Sequence, residues 1–226
     1  FSTLDLLSGY WQVPLDADAQ EKSAFVTRGG LWRWKVLPFG LTSAPATFER
    51  LMEGVLKGLQ WKTLLLYLDD VVVFSTNFES HLERLSEVLN RFRSANLKLK
   101  PSKCEIFQKE VKYLGHVVNA EGISTDPAKV QAVHEWEAPR CPQEVRSFLG
   151  FVGYYRRFCP DFATVAKPLT QLTEKRERGD FPWGPEEQAA FEQLKAFITT
   201  SPVLAYPNHE LEFILDRKST RLNSSH

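Results

Sequence analysis

Three aspartates stand among residues that otherwise favour burial. Asp69 and Asp70 divide the apolar run LLLYLDDVVVF, and Asp5 interrupts the run FSTLDLL. Removing a carboxylate from water costs several kcal/mol unless a partner compensates its charge. If these strands are neighbours in a sheet, the three carboxylates meet at one point, where divalent cations would relieve their mutual repulsion.

Such a cluster has a specific chemical use. Hard oxygen ligands that hold two metal ions roughly 3.5–4 Å apart suit in-line phosphoryl or nucleotidyl transfer. One ion lowers the pKa of an attacking hydroxyl, and the other steadies a triphosphate and its departing pyrophosphate. The alternative is structural, because aspartate is also common in polar β-turns. Asp5, which lies in a second apolar run, favours the metal site.

The elements that must position these carboxylates are predicted from hydrophobic periodicity and turn residues. Strands are predicted at residues 1–6, 64–68 and 71–74, with a hairpin at 24–27 and 31–37 around Gly29-Gly30. A helix is predicted from Thr42 or Ser43 to about residue 59, with Phe48 and Met52 on its apolar face, and another around 82–92, with Leu82 on its apolar face. Further helices are predicted from Pro127, over 143–157 and over 185–198, before a final strand at 211–215. Mixed strands and helices followed by a mostly helical region predict an α+β fold.

The composition is that of a globular protein. Hydrophobic residues make up 43% of the 226 residues and charged residues 25%, so the chain can bury a core. No run approaches the roughly 18 apolar residues of a membrane span, and no signal peptide is evident. Cys104, Cys141 and Cys159 are odd in number and widely spaced, which favours reduced thiols in an intracellular protein over disulfides or a zinc site.

The final segment, DRKSTRLNSSH at residues 216–226, differs in composition from the rest of the chain. It matches the translation of a widely used sequencing adapter, and Asp216 could be native or adapter-encoded. Residues 217–226 are therefore set aside from fold prediction as an artefact. The formal net charge, zero for the whole chain, becomes −3 without Arg217, Lys218 and Arg221, so any nucleic-acid surface must be a local patch.

Four motifs, in this order and spacing, resemble the reverse transcriptase of gypsy-type LTR retrotransposons: FSTLDLLSGYWQV, LPFGLTSAPATF, YLDDVVVFS and KYLGHVV. The resemblance continues through VRSFLGFVGYYRRF, AKPLTQLT, FPWGPEEQAAFEQLK and SPVLAYP, and covers essentially residues 1–215. It implies a right-hand polymerase palm with an antiparallel sheet and part of the fingers at 1–118, and a mostly helical thumb at 119–179. Residues 180–215 would form the connection and the start of a ribonuclease H-like α/β region.

The activity implied by the resemblance is that of an RNA- and DNA-directed DNA polymerase, which transfers a nucleotide from a dNTP to a primer 3′ hydroxyl. Asp5 and Asp69 match the aspartates that bridge two Mg²⁺ ions, with Mn²⁺ as an alternative. Asp70 matches the third catalytic carboxylate, and the backbone carbonyl of Leu6 would complete one metal site. Implied partners are an RNA or DNA template with its primer, dNTPs and other segments of a Pol polyprotein, without a membrane.

Other matched residues would form the nucleotide pocket. Tyr10 matches the aromatic gate beneath the incoming sugar, where a flat ring excludes a 2′-hydroxyl; a buried packing role is the alternative for an isolated tyrosine. Phe39 and Gly40 match residues that line the nucleotide pocket and the template edge. Retroviral enzymes have glutamine where this chain has Phe39, so the resemblance implies an apolar contact here, not a hydrogen bond.

Residues further along would hold and assist the primer. Tyr113, Leu114 and Gly115 match the primer grip, a hairpin that holds the primer 3′ end toward the metals. Lys103 lies near the place where polymerases have a lysine that can protonate pyrophosphate, although a solvated lysine on a basic face is the stronger interpretation. His81, His116, His134 and His209 show no ligand spacing and are assigned no chemistry.

Two basic stretches indicate local nucleic-acid binding. Residues 91–112 carry seven basic residues against Glu105 and Glu110, and residues 145–160 carry Arg146, Arg156 and Arg157 with no acidic residue. Basic groups can meet phosphates while the interleaved aromatics, most of them predicted to be core, anchor the helix. By resemblance the second stretch is a thumb helix that follows the duplex minor groove by shape.

Two rival functions remain at this point. An RNA-dependent RNA polymerase shares the palm and the metal chemistry, but Leu68, Tyr10 and the downstream motifs count against it. A catalytically dead retroelement remnant, acting at most as a nucleic-acid-binding module, would show frameshifts or a lost aspartate, and neither is visible. Retroelement origin implies an intracellular protein, in a cytoplasmic particle with access to the nucleus.

Both ends of the chain are expected to be artificial. Phe1 lies four residues before Asp5, so most of the fingers would be absent, and the adapter-like tail would replace the first ribonuclease H aspartate. The chain alone is therefore expected to lack both polymerase and ribonuclease H activity, although its parent would have both.

Overall fold

The computed structural model describes residues 1–174, 181–200 and 204 and confirms an α+β fold. Its strands are β1 (Ser2–Leu4), β2 (Phe25–Thr27), β3 (Gly30–Trp32), β4 (Leu64–Tyr67), β5 (Asp70–Val73), β6 (Val111–Tyr113), β7 (His116–Val118) and β8 (Ile123–Thr125). Its helices are α1 (Ala17–Lys22), α2 (Ala44–Val55), α3 (Phe78–Ser94), α4 (Pro127–His134), α5 (Pro142–Tyr154), α6 (Phe162–Gln171) and α7 (Pro185–Thr199). The predicted strand at 211–215 and the tail at 216–226 lie outside the described residues.

The first sheet is antiparallel, in the order β1–β5–β4. Strands β4 and β5 are rich in leucine and valine, which suit a pleated, buried surface. Leu64, Leu66, Val71 and Val73 are buried and, with residues from α2 and α3, form the first core. The end of the sheet that carries the aspartates is therefore supported by a buried apolar core.

Two helices cover the first sheet. In α2, Phe48 and Met52 lie one turn apart and are fully buried, as predicted, although the helix ends at Val55 and not near residue 59. Asn77 caps α3, because its Oδ1 accepts a hydrogen bond of 2.8 Å from the Ser80 backbone N–H. Leu82, predicted to lie on the buried face of α3, is 53% exposed.

The second sheet, β6–β7–β8, is also antiparallel, with Val111 opposite Val118 and Val118 opposite Ile123. Its pairing continues across residue 118, where the sequence predicted a boundary between palm and thumb. Ile123 also exchanges backbone hydrogen bonds of 2.9 and 2.8 Å with Leu204. The second sheet thus joins the first region of the chain, residues 1–118, to Leu204, which follows α7.

The second core is helical and is built mainly from α4, α5, α6 and α7, which together form the helical region. Phe148, Phe191, Leu169 and Leu194 are among its fully buried residues. Helix α7 supplies part of this core, so the predicted division at residue 180 would separate α7 from the helices on which it packs. Helix α6 was not predicted, because Pro168 inside it is a helix-breaking signal.

Two further findings concern the class of protein. No helix in the described part of the chain is long and apolar enough to cross a membrane. Cys104, Cys141 and Cys159 are all free thiols, which agrees with the prediction of reduced cysteines.

The hairpin β2–β3 was predicted around Gly29-Gly30 and is confirmed, with both strands exposed to solvent.

Candidate active site at the end of the first sheet

Asp5 and Asp70 lie at the same end of the first sheet. Strands β1 and β5 are antiparallel with Leu4 opposite Val71. Asp5 directly follows Leu4 and Asp70 directly precedes Val71, so the two aspartates are neighbours across the strands. Asp69, which precedes Asp70 in the chain, lies in the adjoining turn. The three carboxylates therefore lie at one end of the sheet, as the sequence predicted.

The turn itself differs from the prediction. Asp69 and Asp70 were expected to separate the two strands, but Asp70 pairs with Tyr67 as the first residue of β5. The turn consists of Leu68 and Asp69, and Leu68 has a left-handed φ of 55°. A leucine adopts that conformation at a cost of about 1–2 kcal/mol. Leu68 is thus a turn residue, whereas the sequence predicted it to be the last residue of the strand at 64–68.

The carboxylates and Lys103 interact electrostatically. Partial desolvation, followed by the charges of Asp69 and Asp5, raises the pKa of Asp70. Lys103 acts in the opposite direction, and its Nζ lies 3.3 Å from Asp5 Oδ2. The site therefore holds more negative charge than it neutralises, which is the condition under which it would attract cations.

A cavity of about 210 Å³ opens beside this edge, between the two sheets. Its lining includes Asp5, Asp70, Lys103, Lys112 and Tyr113. Carboxylate oxygens are the ligands that Mg²⁺ prefers, so the donor chemistry fits the predicted ion. In the described part of the chain, however, no three His, Cys, Asp or Glu side chains are grouped closely enough to hold a metal. The closer convergence expected from the sequence is not found, since Asp5 pairs with Lys103.

Tyr10 is held next to the aspartates by close packing. It belongs to the 3-10 turn Gly9–Gln12, which follows β1. A Cβ on Gly9 would lie 2.7 Å from the Phe48 ring, so only glycine lets this turn approach α2. The Tyr10 ring lies 5.2 Å from that of Phe48, and desolvation and the charge of Asp69 raise its pKa.

The other two residues predicted for the nucleotide pocket adjoin Tyr10. The ring of Phe39 lies 5.1 Å from that of Tyr10 and 5.7 Å from that of Trp11, and Phe39 remains largely exposed. Gly40 has a left-handed φ of 90° and open space where a side chain would be. The structure thus brings Tyr10, Phe39 and Gly40 together.

The turn predicted to be the primer grip joins β6 to β7. Tyr113 pairs with His116, and Leu114 and Gly115 form the two-residue turn with φ values of 47° and 72°. Burial, followed by the charge of Asp70, raises the pKa of Tyr113 to about 12. The turn therefore lies within electrostatic reach of the aspartates, on the other side of the cavity.

Contacts that the sequence did not reveal hold this turn. The Tyr154 and Tyr155 hydroxyls donate hydrogen bonds to the carbonyls of Leu114 and Gly115. His116, which had been assigned no chemistry, is buried beside them, and its Nδ1 lies 2.8 Å from the Leu114 carbonyl. A possible signal was the adjacency of His116 to the predicted primer grip, whereas contacts across forty residues leave no periodic pattern.

The basic stretches are only partly available to a ligand. Lys112 pairs with Asp126 at 3.1 Å, Lys103 pairs with Asp5, and Arg146 donates to the Thr173 carbonyl. Arg156 and Arg157 are exposed. The prediction that most aromatics between them are core is confirmed, since the side chains that are buried are those of Phe148, Tyr155 and Phe158.

Comparison with protein families gives one match, to the family described as reverse transcriptase (RNA-dependent DNA polymerase), over residues 1–118. Among curated proteins, the chain is 41% identical over 98% of its length to the retrovirus-related Pol polyprotein from transposon 297 of Drosophila melanogaster. It is 36% identical over 95% of its length to the corresponding polyprotein from transposon gypsy of the same species. The chain spans about a fifth of these relatives, 21% and 22% of their length.

Solved structures give the same result. A foamy viral protease-reverse transcriptase in complex with double-stranded DNA matches 90% of this chain and 36% of its own, with a TM-score of 0.84 and 26% identity. The same type of protein in complex with an RNA/DNA hybrid matches 90% of this chain and 28% of its own, with a TM-score of 0.81 and 26% identity. Both likenesses extend over the first sheet and the helical region.

Proposed function

The chain belongs to the reverse transcriptase family, in the branch of gypsy-type retrotransposon Pol polyproteins, and on that premise we propose that its parent is an RNA- and DNA-directed DNA polymerase. The observation that carries the proposal is the strand register that makes Asp5 and Asp70 neighbours beside Asp69. Three carboxylates at one sheet end are what nucleotidyl transfer requires.

The aspartates would hold the metal ions in this mechanism. Asp5 and Asp69 would be the main carboxylate ligands, with Asp70 as the third carboxylate and the Leu6 carbonyl as a further ligand. Two Mg²⁺ ions, or Mn²⁺ in their place, would supply a lowered pKa at the primer hydroxyl and a counter-charge for pyrophosphate. Asp5, which lies 3.3 Å from Lys103 Nζ, would have to give up this contact to hold an ion. Lys103, whose ammonium lies at the edge of the cavity, then donates a proton to the departing pyrophosphate.

Tyr10 selects the sugar of the incoming dNTP, with Phe39 and Gly40 beside it. Its ring packs against Phe48 and lies within electrostatic range of Asp69, which supports a position beneath the ribose. We expect Tyr10→Ala to raise ribonucleotide incorporation by about tenfold, as removing a steric barrier does, with a smaller loss for dNTPs. Unchanged discrimination in single-nucleotide extension would show that Tyr10 is only a packing residue.

The remaining partner is a template with its primer. Tyr113, Leu114 and Gly115 hold the primer 3′ end across the cavity from the aspartates, and exposed Arg156 and Arg157 meet phosphates. The solved relatives are complexes with double-stranded DNA and with an RNA/DNA hybrid, which supports both duplexes as ligands here. Other segments of the polyprotein, and a retroelement particle in the cell, complete the proposed setting.

Asp69→Asn tests the function. The chain would replace the homologous segment of the transposon 297 polyprotein, and primer extension would be measured with Mg²⁺, a primed template and dNTPs. Losing one metal ligand should lower extension by roughly 10³-fold or more, because several kcal/mol of charge stabilisation are lost. Duplex affinity should change less than about twofold, since phosphate contacts dominate it.

The matched control is Asp18→Asn, which removes an exposed carboxylate from α1. This control should extend primers normally. Normal extension by Asp69→Asn as well would contradict the proposal, whereas duplex binding without extension by the unmodified chimera would favour the catalytically dead remnant. The isolated chain, assayed alongside, is predicted from the sequence to be inactive.

A further inference from the structure

Both carbonyls of the turn at Leu114 and Gly115 are bonded by the helical region. Tyr154 donates to the Leu114 carbonyl, and Tyr155 Oη donates to the Gly115 carbonyl at 3.0 Å. The two tyrosines stand side by side at the end of α5. Carbonyls at the tip of a hairpin are ordinarily satisfied by water, so two protein donors from another region are a specific attachment.

His116 adds a third contact to the same turn. Its Nδ1–H donates to the Leu114 carbonyl at 2.8 Å, and its ring is enclosed by Tyr154, Tyr155 and Phe158 at centroid distances of 5.3, 5.5 and 5.8 Å. Its Nε2 is buried and has no hydrogen-bond partner in the described part of the chain. Such a nitrogen destabilises the fold, and phenylalanine would fill the same space without it. The bond to Leu114 is what the histidine contributes.

The attachment leaves little slack. A Cβ at Gly115 would lie 3.2 Å from Tyr155 Oη, so a residue larger than glycine would be crowded at this point of the turn. Burial raises the pKa of Tyr155, which keeps its hydroxyl a donor at neutral pH. Leu114 lines the cavity of Asp5 and Asp70 on one side and the groove of Tyr154 and Tyr155 on the other. The helical region therefore sets the distance between the turn and the aspartates.

We propose that Tyr155 and His116, with Tyr154, are positioning residues that latch the turn at Leu114 and Gly115 to the helical region and thereby fix the primer end over the carboxylates. The second half of this statement rests on the proposed function, because it takes the turn to hold a primer. The latch itself requires only the contacts described above. Movement of the helical region would be transmitted to the primer end through these three side chains.

Hydrogen exchange of the unbound full chain tests the latch. Tyr155→Phe and His116→Phe keep the rings and remove one hydrogen bond each, and Thr199→Val is the control, because it removes a hydroxyl that bonds within α7. We expect amide exchange over residues 111–118 to become about three- to tenfold faster in the first two variants, as the loss of one hydrogen bond predicts, and to stay unchanged in the control. Unchanged exchange in both latch variants would overturn the proposal.

A global loss of stability must be distinguished from a local release. His116→Phe removes the unpartnered Nε2, so its Tm should equal or exceed that of the unmodified chain while residues 111–118 exchange faster. A lowered Tm with faster exchange throughout the chain would show a merely structural role for His116 and overturn its part in the latch.

A template–primer duplex with 2-aminopurine at the primer 3′ end tests the positioning. We expect its Kd to change less than about twofold in the variants, because phosphate contacts are intact, while the fluorescence change on binding becomes smaller. An unchanged fluorescence signal together with faster exchange would overturn the positioning of the primer. If the unmodified chain binds no duplex, the proposed function fails, whereas hydrogen exchange still decides whether the latch exists.

Discussion

The two turns that face each other across the cavity are built alike and held differently. Each joins antiparallel strands with two residues, and each contains a non-glycine residue in the left-handed region, Leu68 in one and Leu114 in the other. The turn at Leu68 and Asp69 carries its functional groups on exposed side chains. The turn at Leu114 and Gly115 has its backbone carbonyls bonded by Tyr154, Tyr155 and His116.

If the proposed function is correct, this difference follows from what each turn has to present. Carboxylates that receive cations must remain accessible and mutually repelling, so the structure leaves Asp69 and Asp70 exposed and compensates Asp5 with Lys103. A turn that holds a ligand with its backbone has no side chain to adjust, so its position depends on bonds from outside. The turn at Leu68 and Asp69 therefore keeps its charged side chains accessible, and the turn at Leu114 and Gly115 keeps its backbone at a fixed position.

The largest effect on this comparison should come from Gly115→Ala. The left-handed φ of 72° and the contact of 3.2 Å with Tyr155 Oη should together lower the free energy of unfolding by about 2–3 kcal/mol. Gly58→Ala is the control, because its φ is 85° and nothing lies within 4 Å of the added Cβ. It should cost only about 1 kcal/mol. Equal losses in urea unfolding would mean that Tyr155 does not crowd the turn.

A smaller effect should appear in the pH dependence of stability. Burial, with a contribution from the charge of nearby Arg157, lowers the pKa of His116 below its usual 6.5, while its bond to Leu114 acts in the opposite direction. The folded state therefore takes up this proton less readily than the unfolded chain. The stability that neutral His116 contributes should be fully present above pH 6.5, and it should be lost as the pH decreases through the lowered pKa.

His116→Phe should make that slope shallower. Burial also lowers the pKa of His81, which gives a slope of the same sign, so the difference between the variant and the unmodified chain isolates His116. The neighbouring Tyr155 hydroxyl, whose pKa is raised by burial, does not titrate in this range. The measurement is the change in the free energy of urea unfolding between pH 5 and pH 7.5. An equal change in the variant and in the unmodified chain would exclude a buried neutral His116.

The smallest effect should be a gain. The pKa of Asp70 is raised by desolvation and by Asp69 and Asp5, so its charge destabilises the fold as the pH rises above its usual value of 3.8. Asp70→Asn should therefore raise Tm slightly at pH 7 while removing extension. Asp126→Asn, which breaks a pair with Lys112, should lower Tm in the same scan. A lower Tm for Asp70→Asn would indicate a structural turn with no stored repulsion.

Much of the first region could be predicted from the sequence, because its signals are local. Leucine and valine runs gave β4 and β5, and the spacing of Phe48 and Met52 gave α2. The neighbouring positions of Asp5 and Asp70 were predicted as well, since both interrupt apolar strands. The composition of the turn was predicted incorrectly, because Asp is a common turn residue and Leu68 at a positive φ is not.

What the sequence could not show depends on contacts between distant residues. The bonds from Tyr154 and Tyr155 reach a turn forty positions earlier, and no periodicity encodes them. Helix α6 keeps its buried Ala166 and Leu169 despite Pro168, because packing on α7 outweighs the lost backbone bond. The pairing of Asp5 with Lys103 likewise spans most of the first region. The three carboxylates are neighbours, as predicted, but in the described part of the chain they are not grouped closely enough to hold a metal.

The register of the first sheet also bears on how the chain folds. Ser2 must find Val73, whereas Val111 finds Val118 through a two-residue turn. Closing a loop of that length costs more entropy than closing a hairpin, and nonlocal pairing slows folding. The edge that carries Asp5 should therefore form late in refolding, after the hairpin β6–β7 has already closed. During synthesis Asp5 would remain apart from Asp69 and Asp70, and the site would assemble only once β1 had paired with β5.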